Sequence, residues 1–151
     1  MKVKIALVLS EFNYDVTSKM LEKALEYAKL LDAEVRYIFK VPGSYEIPLA
    51  VKLLAEKEDV DSIVTLGAII KGETKHDEVI AHSVTKTLLE LALKYNKPVT
   101  LGISGPGMSE EQAYARIDEY AKRSVEAAVK LYKRIVKFRN LETSKFPQLI
   151  D

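Results

Sequence analysis

The chain has 151 residues and nearly balanced charge, 23 Lys and Arg against 22 Asp and Glu, which points to one domain with a sizeable core and to no nucleic-acid or anionic-lipid surface. Without cysteine it has no disulfide framework, no thiolate nucleophile and no thiolate metal site. No apolar run approaches the roughly 20 residues that a membrane-spanning helix needs.

MKVKIALVLS at the start carries two lysines and a short apolar run, but the run meets Glu11 and Asn13 with no small-residue cleavage pattern. It is therefore predicted as a strand over 3–10 rather than a signal peptide, and the protein as cytoplasmic. Val16, Met20, Ala24, Ala28 and Leu31 then recur at helical spacing, and EVRYIFK (34–40) reads as a second strand. After VPGSYE (41–46), Ile47, Val51 and Leu54 mark a short helix with Pro48 tolerated in its first turn. DSIVTLGAII (61–70) is the third strand, and beyond KGETKH (71–76) the stripe Ile80, Val84, Leu88, Leu91, Tyr95 predicts a third helix. PVTLGIS (98–104) is the fourth strand, followed by a GPGMS loop (105–109). Ser109 and Gln112 have capping-box spacing, and apolar residues continue from Ala113 to Ile135, predicting one long helix or two with a break near 118–122. Periodicity is lost over 139–151, a predicted tail, which leaves 1–138 as a single domain.

Most of these strands are nearly continuous in apolar character, as parallel strands covered on both faces are. Strand–helix alternation then predicts a flavodoxin-like three-layer α/β/α sandwich around a four-stranded parallel sheet. Such sheets bind ligands beyond the carboxyl ends of their strands. SEFNY (10–14), VPGSYE, KGETKH and GPGMS all fall on that edge.

Each of these loops has two readings. In KGETKH, Gly72 allows close backbone approach, Thr74 offers a hydroxyl, the following helix start favours anions, and His76 is of the residue type that proton transfer near neutral pH most often uses. The plainer reading is a solvated turn with Thr74 or Asp77 as a cap. Ser44 and Glu46 suit a polyol site, or are a helix cap and a dipole-matching acid. Phe12 is either core or a stacking face for a flat heterocycle. Arg116 and Arg123, seven apart, are a solvated stripe or an electrostatic clamp for phosphate. His82 sits within the helical pattern and reads as helix surface, and two histidines six apart make a poor metal pair, so no metal and no cofactor are predicted. A flavodoxin's FMN loop and a response regulator's acidic cluster are both missing here.

In order and spacing, EFN (11–13), VPGSYEIP (41–48), LGAIIKGETKHDEV (66–79), PVTLGIS and EQAYAR (111–116) resemble the lumazine synthase family, in an archaeal form suggested by LGISGPGMS (101–109). The resemblance implies condensation of 5-amino-6-(D-ribitylamino)uracil with 3,4-dihydroxy-2-butanone 4-phosphate in riboflavin biosynthesis, without metal or cofactor. It implies that Phe12 stacks on the pyrimidine and that Ser44, Tyr45 and Glu46 hold the ribityl chain. Ala68, Ile69 and Ile70 read the pyrimidine edge, Glu73 and Thr74 seat the butanone phosphate with Arg116 and Arg123 as cations, and His76 moves protons. It further implies a pentamer, in some members an icosahedral shell of twelve, with Leu101 and Arg116 supplied by the adjacent subunit, and a functional link to riboflavin synthase. Glu11 stands where the family commonly has Arg, and Leu101 where it often has Phe. The alternative is a non-catalytic flavin- or lumazine-binding assembly protein, marked by loss of His76 or Arg116; both are present.

Overall fold

The computed structural model describes every residue from Met1 to Asp151. The chain runs β1 (Lys4–Ser10), α1 (Tyr14–Leu30), β2 (Glu34–Val41), a 3-10 turn (Ser44–Glu46), α2 (Ile47–Ala55), β3 (Ser62–Ile70), α3 (His76–Tyr95), β4 (Val99–Met108), α4 (Glu110–Ala115) and α5 (Ile117–Arg139). All strand pairs are parallel and the sheet order is β2-β1-β3-β4. This is the predicted three-layer sandwich.

The two central strands are apolar throughout because both of their faces are covered: in β1 every residue after Lys4 is buried, and in β3 every residue before Ile70. An 18-residue cluster packs α1 and α5 on one face, and a 15-residue cluster packs α2 and α3 on the other, so neither side of the sheet is open. The edge strand β2 exposes Ile38 and Phe39. Pro48 sits in the first turn of α2, where its missing N–H has no helical partner to lose. No helix is long and apolar enough to cross a membrane.

Two boundaries differ from the sequence reading. β4 does not stop at Ser104: past an irregularity it pairs again, Ile70 with Met108, so Gly105-Pro106-Gly107 is a strap along the sheet edge instead of a free loop. An edge strand tolerates the proline because one side of its ladder has no partner. The helix break lies at Arg116, not within 118–122. The capping box at Ser109 is present, its Oγ accepting from the Gln112 amide at 3.1 Å and the Ser109 amide donating to Gln112 Oε1 at 2.8 Å.

Candidate active site

α1 leaves β1 toward one face of the sheet and α3 leaves β3 toward the other, which opens a crevice between the carboxyl ends of these two central strands. A cavity of about 450 Å³ occupies it, walled by the segments that follow β1, β2 and β3.

After β1 the backbone is tied sideways: the Glu11 amide donates to Val41 O at 2.7 Å and the Phe12 amide to Pro42 O at 2.9 Å. Phe12 is therefore held at the rim, 73% exposed, which removes the core reading for it. Asn13 adopts the left-handed conformation, φ 60°, which Asn tolerates better than most residues. Its side chain does not cap α1; Nδ2 instead donates to Ala68 O at 2.8 Å, bridging the β1 loop to the end of β3.

The turn after β2 is laid down on the sheet. Ser44 is buried over Gly67, where an added Cβ would stand 2.9 Å from Ser44 Oγ, so the hydroxyl comes this close to β3 because position 67 is glycine. Tyr45 and Glu46 are exposed at the cavity mouth. β3 contributes Ala68, Ile69 and Ile70 as the floor. Lys71 through His76 is exposed along its whole length, and Thr74 Oγ1 lies 3.4 Å from the His76 amide at the start of α3. Thr74 and His76 line the cavity; Glu73 does not.

One chain therefore brings together Phe12, Ser44, Tyr45, Glu46, Ala68, Ile69, Ile70, Thr74 and His76, and leaves four predicted site residues elsewhere. Leu101 is 48% exposed on β4 and borders two other hollows, one with His82 and Lys86 and one with Arg123. Arg116 is the half-buried junction between α4 and α5, its guanidinium 3.8 Å from Met108 Sδ. That junction means that Arg116 and Arg123 do not share one continuous helix face. Arg123 is paired with Glu119 at 3.0 Å on the exposed side of α5. α4 itself is docked on α1 by the Tyr114 hydroxyl, which donates to the Asp15 carboxylate; that bond pushes the Tyr114 phenol above its ordinary range. Lys19 lies over the same ring, 5.1 Å from its centroid.

Two cavity residues with polar side chains were not singled out as site residues by sequence. Asn13 belongs to the EFN stretch, but nothing local shows a left-handed Asn reaching to another strand. Asp77 reads as an ordinary first-turn acid, yet it is 7% exposed and its Oδ2 accepts the Gly107 amide at 3.0 Å. No group of three or more His, Asp or Glu side chains is placed to hold a metal.

A parallel sheet with its crevice at the strand-order switch, walled by an aromatic face, a hydroxyl- and carboxylate-bearing turn and a histidine at a helix start, defines a flavodoxin-like protein built to bind small molecules. The profile of the 6,7-dimethyl-8-ribityllumazine synthase family matches residues 2–136. The chain is 58% identical over 133 residues to the 6,7-dimethyl-8-ribityllumazine synthase of Metallosphaera sedula, covering 88% of each chain. It is 54% identical over 149 residues to that of Pyrobaculum arsenaticum, covering 99% of each. To that of Saccharolobus islandicus it is 52% identical over 149 residues, covering 99% of this chain and 97% of the other. The chain belongs to the 6,7-dimethyl-8-ribityllumazine synthase family, transferases of riboflavin biosynthesis.

Proposed function

We propose that this protein condenses 5-amino-6-(D-ribitylamino)uracil with 3,4-dihydroxy-2-butanone 4-phosphate, giving 6,7-dimethyl-8-ribityllumazine with release of phosphate and water. The observation that carries the reading is the convergence of Phe12, Ser44, Tyr45, Glu46, Thr74 and His76, from three separate loops, on one cavity. The Phe12 face takes the pyrimidine ring, and main-chain groups of Ala68, Ile69 and Ile70 read its edge. Ser44, Tyr45 and Glu46 bind ribityl hydroxyls. Thr74 and Glu73 receive the phosphate end of the second substrate beside the α3 start, where free amides favour anions.

The amine attacks the ketone, water leaves as a Schiff base forms, phosphate is eliminated, and the second nitrogen closes the ring with loss of water. Every step moves a proton, histidine is the residue type best suited to that work, and His76 is the histidine that lines the cavity. Much of the acceleration comes from holding two reactants in one orientation.

A phosphate dianion calls for a cation, and the cavity walls hold neither Lys nor Arg. We assign that charge to Arg116, with Arg123 near it, presented by an adjacent copy in a pentamer, and we assign Leu101 to the same contributed wall. Closed rings of this kind use head-to-tail contacts between different faces of identical chains, and twelve such rings make a shell in some members of the family.

The test mixes the assembled protein with both substrates, without metal, and follows lumazine formation over the uncatalysed background. Acceleration that His76→Ala reduces supports the reaction and the proton role together. Tight lumazine or riboflavin binding with no product formation moves the reading to the non-catalytic binding protein.

A further inference from the structure

His76 needs a fixed place, yet local structure gives it little. Lys71 through His76 is exposed, and Lys75 at the helix cap makes no side-chain capping bond. What holds the first turn of α3 lies across the sheet edge, on the Gly105–Gly107 strap. That strap is itself pinned to β3. Gly105, at φ +102°, is pressed so close that a Cβ there would stand 2.2 Å from Ile69 O. Past it, Met108 O accepts the Lys71 amide at 2.8 Å. Between these two anchors the Gly107 amide, at φ +74°, points to Asp77 Oδ2 at 3.0 Å.

Asp77 directly follows His76 and is buried, whereas Glu78 in the same turn is exposed. An acid that only complemented the helix dipole would have no reason to be taken out of water, since a first-turn carboxylate does that work from the surface. Burying a carboxylate is unfavourable unless it is hydrogen-bonded, and the Gly107 amide supplies such a bond.

We propose that Asp77 is a positioning residue. By gripping the Gly107 amide, its carboxylate fixes the first turn of α3 against the end of β4 and so sets where the His76 imidazole stands in the cavity. The inference rests on the proton role given to His76 above. It assigns Asp77 no proton of its own.

The experiment compares Asp77→Asn, Asp77→Glu and Asp77→Ala in the assembled enzyme, reading kcat per folded site and both KM values, with thermal unfolding alongside. Asn keeps an acceptor at the same place without the charge; Glu keeps the charge but displaces it by a methylene. Expected are a kcat within about threefold of wild type for Asn, and a kcat lower by about tenfold or more for Glu and Ala, with KM little changed, because a misplacement of about 1 Å is enough for losses of that order. A merely structural role lowers unfolding temperature and folded fraction while leaving kcat per folded site unchanged, and that result overturns the proposal. So does Asn as slow as Ala with Glu near wild type, which would make the charge the working feature. If Ala does not fold, the Asn and Glu pair still decides. A wild-type protein without activity is a failure of the proposed function and is seen before any variant is made.

Discussion

The crevice between β1 and β3 and the outer side of β4 with α5 divide the proposed chemistry unequally. The crevice holds the flat aromatic face, the hydroxyls and the histidine, on segments that leave the ends of the sheet's strands, of which β1 and β3 are buried on both faces. The β4 and α5 side holds Leu101, Arg116 and Arg123, none of which lines that crevice. Neither region carries the reaction as proposed. On that proposal the difference teaches that the chain presents two half-sites, which a ring joining one copy's crevice to its neighbour's cations would complete.

The deepest cut is into the crevice. His76→Ala is expected to lower kcat by on the order of 10²-fold with a smaller change in KM, measured at saturating concentrations of both substrates. An unchanged kcat removes the proton role. Next comes the other half: Arg116→Ala should raise KM for the butanone phosphate about 10- to 100-fold, the worth of a lost charge-assisted hydrogen bond, and leave KM for the pyrimidine near wild type. Co-assembling the two impaired variants in equal amounts, assayed at butanone phosphate well below the Arg116→Ala KM, then sharpens the comparison. If each site draws on two chains, about a quarter of the sites in a random mixture regain both residues; if each chain is self-sufficient, none do.

The smallest effect lies at the far edge of the sheet and serves as the contrast. Asp59 accepts hydrogen bonds from the Tyr37 hydroxyl at 2.7 Å and the Arg36 guanidinium at 3.2 Å. Tyr37 first, and Arg36 after it, hold its carboxyl below the ordinary range against the opposing effect of burial. A depressed folded value means that this contribution is present above the unfolded value, about 3.9, and is lost as pH falls through the folded one. Asp59→Asn should therefore lower the unfolding midpoint at pH 7, the gap to wild type should close on acidification below about pH 4, and turnover at neutral pH should not move.

The fold was legible because burial leaves its mark residue by residue: IALVL and SIVTLGAI are unbroken where both faces are covered. Where signals misled, a competing one was stronger. Ala113, Ile117 and Ala121 keep four-residue spacing straight across the break at Arg116, so the apolar stripe carries no trace of it. Gly105-Pro106-Gly107 has the composition of a turn, and only its pairing with β3 makes it strand. Phe12, Ser44, Thr74 and His76 were visible because each sits where a strand ends. Asn13 and Asp77 were not, since their partners, Ala68 O and the Gly107 amide, lie 55 and 30 residues away.

Gly67 sets how closely the Ser44 hydroxyl approaches the sheet by an atom it lacks. Ser44 rests where a methyl group on β3 would be, with Ile103 closing in at 3.4 Å from the same point. Position 67 is thus a shim slot beneath the binding turn. Alanine there would force the Ser44 hydroxyl to shift, and on the proposed function the room left for the ribityl chain becomes a quantity an engineer could set from below, without replacing any residue proposed to meet the substrate.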